Sequence, residues 1–90
     1  MTAAELAILD KLAPEDGELP RWFSPREFGG SDGSSERRTA ERMATDPRKA
    51  WLERTNTGQG AARPKWRYRI TAKGLRAREA KRLSLQLAER

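Results

Sequence analysis

Ninety residues allow one small domain, and with 36% hydrophobic and 36% charged side chains its core has to be thin. The chain holds no cysteine and no histidine, which excludes disulfides, thiolate or imidazole metal sites and the commonest general base. The net charge is +6 and no apolar run approaches the length of a membrane span, so a cytoplasmic protein with no cofactor, metal or membrane partner is expected.

Thr2-Ala3-Ala4-Glu5 forms a capping box, in which the Thr2 hydroxyl accepts from the Glu5 N–H and the Glu5 side chain reaches back. Leu6, Ile8, Leu9, Leu12 and Ala13 follow at helical spacing, which predicts a first helix from about Ala3 to Leu12, ended by Pro14. Residues 14–20 are an acidic connection with little to pack. Ser24-Pro25-Arg26-Glu27 is a second capping box, with proline at the favoured first helical position. Trp22, Phe23 and Phe28 flank this short helix and read as core anchors rather than as a ligand cage. After the glycine-rich loop 29–34, Ser34 or Ser35 caps a third, basic helix running from Ser35 or Glu36 to Ala44. Ala40, Met43 and Ala44 fall on one side of it; Arg38, Glu41, Arg42 and Thr45 fall on the other, at spacings of three and four. Asp46-Pro47 reads as a further cap, starting a short turn of helix through Ala50.

Residues 51–54 and 66–70 carry the aromatic and branched side chains that suit a pleated, half-buried surface. Asn56-Thr57-Gly58-Gln59-Gly60 supplies turn chemistry between them, and Arg63 and Lys65 add charge without acidic neighbours. In the second strand Trp66, Tyr68 and Ile70 share one face while Lys65, Arg67 and Arg69 share the other, so a row of cations is expected outside. Thr71 caps a final helix from Ala72 to about Ala88. Leu75, Ala80, Leu83 and Leu87 give that helix an uneven apolar stripe. Its last turns exceed what so small a domain needs, so residues 76–90 are expected to extend from the single domain 1–90 and to pack on a second copy.

The charge is segregated along the chain. Residues 1–20 contain five acidic side chains against Lys11, whereas the remaining seventy hold eighteen basic and eight acidic ones. Arginine outnumbers lysine 14 to 5, and arginine is the better reader of phosphates and guanine edges. This pattern points to nucleic acid.

The order of helix, short helix, basic helix, strand, basic loop, strand and helix resembles the winged helix-turn-helix domain of small bacterial, archaeal and phage regulators, including the MarR and PadR groups. Tyr68-Arg69-Ile70-Thr71-Ala72-Lys73-Gly74 looks like the close of many such wings, which reads tyrosine, x, leucine or isoleucine, threonine, x, x, glycine. Leu52-Glu53-Arg54 is similar to the usual leucine, x, arginine of the first wing strand. The chain departs from the pattern where Lys49-Ala50 replaces the glycine before that strand, and where the turn ahead of the basic helix is long. The resemblance implies an α+β winged helix-turn-helix fold with three N-terminal helices, a two-stranded β-hairpin wing and a C-terminal helix.

It also implies double-stranded DNA as the partner, transcription regulation as the role and a homodimer through the C-terminal helix. The basic helix would enter the major groove, roughly 12 Å wide, with Arg38 and Arg42 toward base edges or phosphates and Arg37 toward the backbone. Ser34 and Ser35 with the helix N-terminal N–H groups suit a phosphate. Glu41 would orient the arginines or accept from a cytosine amine, and Thr45 completes the exposed face. In the wing, Gly58, Gln59 and Gly60 permit close approach, Arg63 enters the minor groove, and Lys65, Arg67 and Arg54 meet phosphates. The alternative is a winged-helix protein-interaction module in a replication, recombination or phage assembly, using the acidic first twenty residues or Trp51 and Trp66. RNA binding by stacking on Trp66 and Tyr68 is a third option. An enzyme is not expected: no P-loop glycine signature is present, and Asp32 and Glu36 read as loop and cap residues.

Overall fold

A computed structural model describes residues 1–29, 34–58, 60 and 65–89. The first capping box closes at both ends: Thr2 Oγ1 accepts from the Glu5 N–H at 3.1 Å, and Glu5 Oε1 accepts from the Thr2 N–H at 2.8 Å. Helix α1 then spans Ala3–Leu12, with Ile8, Leu9 and Leu12 buried. Ala13 leaves the helix in extended backbone, the conformation favoured ahead of a proline.

The second expected helix is a single 3-10 turn, Pro25–Phe28. Two α-helices and one 3-10 turn therefore precede the hairpin, not three helices. Pro25 offers no N–H, Gly29 turns away at φ 86, and Phe28 is drawn wholly into the core, so nothing propagates the turn. The Ser24 N–H still donates to Glu27 Oε2 at 2.7 Å. Just before the turn, Phe23 and Tyr68 exchange N–H to C=O bonds at 2.8 Å in both directions, adding a third strand position to the sheet.

Helix α2 spans Ser35–Thr45, capped by Ser34, whose Oγ accepts from the Arg37 N–H at 3.3 Å. Thr39, Ala40 and Met43 are its buried residues, and the Thr39 hydroxyl is satisfied by the Ser35 carbonyl at 2.8 Å. After Asp46 the chain makes a single turn over residues 47–49, in which the Asp46 carbonyl accepts from the N–H groups of Lys49 and Ala50 at 3.1 and 2.9 Å and which propagates no further. Ala50 takes φ 47, a left-handed conformation that costs a residue with a Cβ about 1–2 kcal/mol. That is the place where the wing pattern carries glycine.

Strands β1 (Leu52–Asn56) and β2 (Trp66–Ile70) pair antiparallel, with Leu52 opposite Ile70, Arg54 opposite Tyr68 and Asn56 opposite Trp66. Trp51 stays outside β1 because its backbone serves other elements: its N–H donates to the Met43 carbonyl at 3.1 Å, and its carbonyl accepts from the Thr71 N–H at 3.0 Å. Helix α3 spans Ala72–Ala88. Thr71 caps it by accepting from the Gly74 N–H at 3.0 Å, while the Thr71 hydroxyl donates to the Ala50 carbonyl at 2.7 Å. Gly74 is buried, and a Cβ there would overlap the Trp51 carbonyl oxygen. The fold is thus α+β, with three α-helices and a two-stranded hairpin around a core of Ile8, Leu9, Leu12, Phe28, Met43, Leu52, Tyr68 and Ile70. Phe28 and Tyr68 meet edge to face, with centroids 5.8 Å apart.

Ion pairs at two carboxylates fasten α1 to later parts of the chain. Buried Glu5 accepts from Lys49 ahead of β1, and Asp10 accepts from Arg78 at 2.7 Å and Arg82 at 2.8 Å on α3. Burial pushes both carboxyls up. Hydrogen bonds from Lys49 and the Thr2 N–H, and from Arg82 and Arg78, outweigh it and hold them below their ordinary 4.5 and 3.8. Stability from a depressed carboxyl is complete above its ordinary pKa and is lost as pH falls through the folded one. Thermal melts should therefore weaken as pH drops below 4.5. A Glu5→Gln, Asp10→Asn variant should be less stable at neutrality and flatter in acid; identical acid limbs would refute this.

Candidate nucleic-acid interface

Helix α2 presents Ser35, Glu36, Arg38, Glu41, Arg42 and Thr45 to solvent, while Ser34 and Arg37 are half-buried. The segregation follows from the inward residues Thr39, Ala40 and Met43, which pack on the core and turn the long cations outward. Arg38 and Arg42 stand one turn apart, and neither makes an ion pair among the described residues. Glu41 does not bridge them. Its Oε1 accepts from Arg54 of β1 at 3.4 Å. Thr45 turns its hydroxyl back to the Glu41 carbonyl at 2.8 Å. At the helix start Ser34 is used as the cap, and the Ser35 hydroxyl donates to Glu36 at 3.3 Å. A carboxylate thus already sits where the helix dipole would favour a phosphate.

The base of the hairpin loop is organised by Asn56, whose Oδ1 accepts from the N–H groups of Gly58 and Lys65 at 2.9 and 3.1 Å. The Thr57 N–H and hydroxyl donate to the Lys65 carbonyl at 2.9 and 3.1 Å. These bonds press Gly58 against Lys65, so that a Cβ at 58 would come 3.1 Å from the Lys65 nitrogen. Gly60 is left-handed at φ 81. Gln59 and Arg63 lie outside the described residues, as do Asp32 and the rest of loop 30–33.

Lys65, just before β2, and Arg67 on its outward side are exposed. Arg69, next in that row, is taken up by Glu53 across the strands and by the Trp22 ring at 4.3 Å. The row of open cations is therefore shorter than alternation alone suggests. Arg54 lies on the inward side of the hairpin, its guanidinium 3.9 Å from the Trp66 centroid and its side chain only 25% exposed. Glu41, Arg54 and Trp66 form a chain that joins the exposed face of α2 to both strands. Sequence reasoning missed this chain. The signal was the period of two that puts Arg54 and Trp66 on one face, as a diagonal cross-strand pair offset by two residues. Arg48 was also passed over; it is exposed in the turn after α2, where its carbonyl accepts from Lys73 at 2.9 Å.

Cations cover the half-buried rings elsewhere too: Arg21 stands 3.7 Å from Phe23 and Lys49 stands 5.5 Å from Trp51. Tyr68 is 1% exposed. Of the two rings named for stacking, Tyr68 is closed to an unpaired base, and Trp66 is half-buried with Arg54 against it. Among the described residues no helix is long and apolar enough to cross a membrane. Comparisons with protein-family models, with curated proteins and with solved structures return no match to this chain.

Proposed function

We propose that this chain is a sequence-specific double-stranded DNA-binding protein of winged helix-turn-helix type, acting as a cytoplasmic transcriptional regulator. The observation that carries the reading is the exposed pair Arg38 and Arg42 on α2, beside a hairpin whose outward strand adds Lys65 and Arg67. The element order and the Phe23–Tyr68 bridge, which places a third strand position beside the hairpin, support the winged plan. The helix face supplies donors of the right length for the major groove, and the hairpin supplies charge for the flanking backbone. Fluorescence anisotropy of labelled duplex DNA across a salt series tests it. With about five to eight phosphates neutralised, log K should fall against log salt with a slope of roughly −4.5 to −7. Absence of duplex binding even at low salt would sink the proposal.

A homodimer through α3 belongs to the same reading. Leu83 and Leu87 are 55% and 67% exposed, and with Ala80 they recur at intervals of three and four, the spacing of a helix–helix seam. Two copies joined there would offer two recognition helices to half-sites about 34 Å apart. A Leu83→Glu, Leu87→Glu variant should sediment as a monomer while the wild type sediments as a dimer. A monomeric wild type at high protein concentration would remove the dimer from the scheme.

The alternative of a protein-interaction module draws on Leu19, which is 88% exposed within the acidic segment 14–20. A salt-resistant complex recovered after nuclease treatment, together with no duplex binding, would favour it.

A further inference from the structure

The geometry points to Glu41 as a reader of cytosine in a G·C pair, with Arg54 as the residue that positions it. This inference rests on the DNA-binding reading of α2 and narrows it to a class of target. Glu41 projects from the exposed face of α2 between Arg38 and Arg42, and its side chain is 54% exposed. A free carboxylate there would be repelled by the DNA backbone and would lose rotamer freedom on docking. Arg54 removes both obstacles. Its guanidinium donates to Glu41 Oε1 at 3.4 Å and lies 3.9 Å from the Trp66 centroid, so the cation is itself held in place. The charge of the carboxylate is offset before any DNA arrives.

One oxygen then remains to be used. Oε1 accepts from Arg54, Oε2 makes no hydrogen bond among the described residues, and a carboxylate can only accept. The major groove offers two amine donors, cytosine N4 and adenine N6. Adenine N6 stands beside the acceptor N7, which repels a carboxylate, whereas cytosine N4 has no acceptor neighbour on the groove edge of its own base. Arg38 and Arg42, three residues before Glu41 and one after it, reach the O6 and N7 acceptors of guanine from the same face. The combination selects a G·C-containing step. It also changes the role of Arg54 from a phosphate ligand to a support for a base-reading side chain, reached across from β1 to α2.

The test is selection of bound sites from a randomised duplex pool, followed by anisotropy on the enriched site and on single-base changes within it. The wild type should enrich a cytosine at one fixed position and disfavour its replacement about 5- to 150-fold. Glu41→Gln should lose that preference or shift it toward adenine, whose N6 and N7 suit an amide. Arg54→Met, which keeps an apolar stem on Trp66, should lose the same preference and, with the Glu41 carboxylate no longer offset, bind all duplexes more weakly. In the double variant Glu41→Gln, Arg54→Met the loss of cytosine preference should be no greater than in Glu41→Gln alone, and additive losses would overturn the inference. If Arg54→Met instead keeps the cytosine preference and reduces the salt slope by about one, Arg54 is a phosphate ligand and the inference falls. A wild type that binds duplex DNA without a cytosine preference overturns this inference alone. A wild type that binds no duplex overturns the DNA-binding reading with it.

Discussion

An Arg38→Ala, Arg42→Ala double variant is expected to bind its preferred duplex at least about 30-fold more weakly than the wild type, from the loss of two arginine contacts worth roughly 1–3 kcal/mol each. The salt series separates two ways of losing it. If both arginines meet phosphates, the slope of log K against log salt becomes shallower by about two, and all sequences suffer together. If they read guanines, the slope holds and the loss is concentrated on the preferred site. Stability should be untouched to within about 0.5 kcal/mol, because both side chains are exposed and unpaired among the described residues. Unchanged affinity in a folded double variant would mean that α2 is not the reading helix.

Gly74→Ala should be the most damaging single methyl group in the chain. Inside a helix this change ordinarily favours folding by about 1 kcal/mol. Here the new Cβ would overlap the Trp51 carbonyl oxygen and come within 2.9 Å of Ile70 Cγ1. The carbonyl cannot swing aside, because it accepts the Thr71 N–H at 3.0 Å and belongs to the segment that sets the start of β1. Overpacking against backbone should outweigh propensity and leave a net loss of about 2–3 kcal/mol, read as a lower urea midpoint with the slope unchanged. Arg76→Ala, two residues later and exposed, serves as the control and should stay close to wild type. A Gly74→Ala protein as stable as that control would contradict the close approach of α3 to Trp51.

The features legible in the chain were those determined by neighbours in sequence. The Thr2–Glu5 box, the end of α1 before Pro14, the span of β2 and the Thr71 cap all follow from residues within four positions of one another, and each stands where it was expected. The 3-10 turn after Ser24 was overread as a helix because capping chemistry marks a start and says nothing about how far the turn propagates. The Phe23–Tyr68 bridge was illegible: a single pair of residues forty-five positions apart leaves no period to detect. Gly74 was recognisable as part of a pattern, yet its cause lies in the Trp51 carbonyl, which only the folded chain brings near. Within the candidate interface, the exposed side of α2 was legible from the positions of Ala40 and Met43. Which cations remain open was not. Arg69 is matched by Glu53 and Arg54 by Glu41 through strand pairing and helix packing, and alternation alone counts every outward arginine as available.

Trp51 makes the hairpin a cantilever built in at its root. Its N–H is bonded to the end of α2 and its carbonyl to the start of α3, with Gly74 lodged against that carbonyl. A beam clamped in this way does not hinge where it meets the wall. A sideways load on the hairpin, such as a duplex leaning on Lys65 and Arg67, passes through the clamp as torque on both helices. Under such a load the angle between α2 and the root of the hairpin stays fixed, so the root is the ruler.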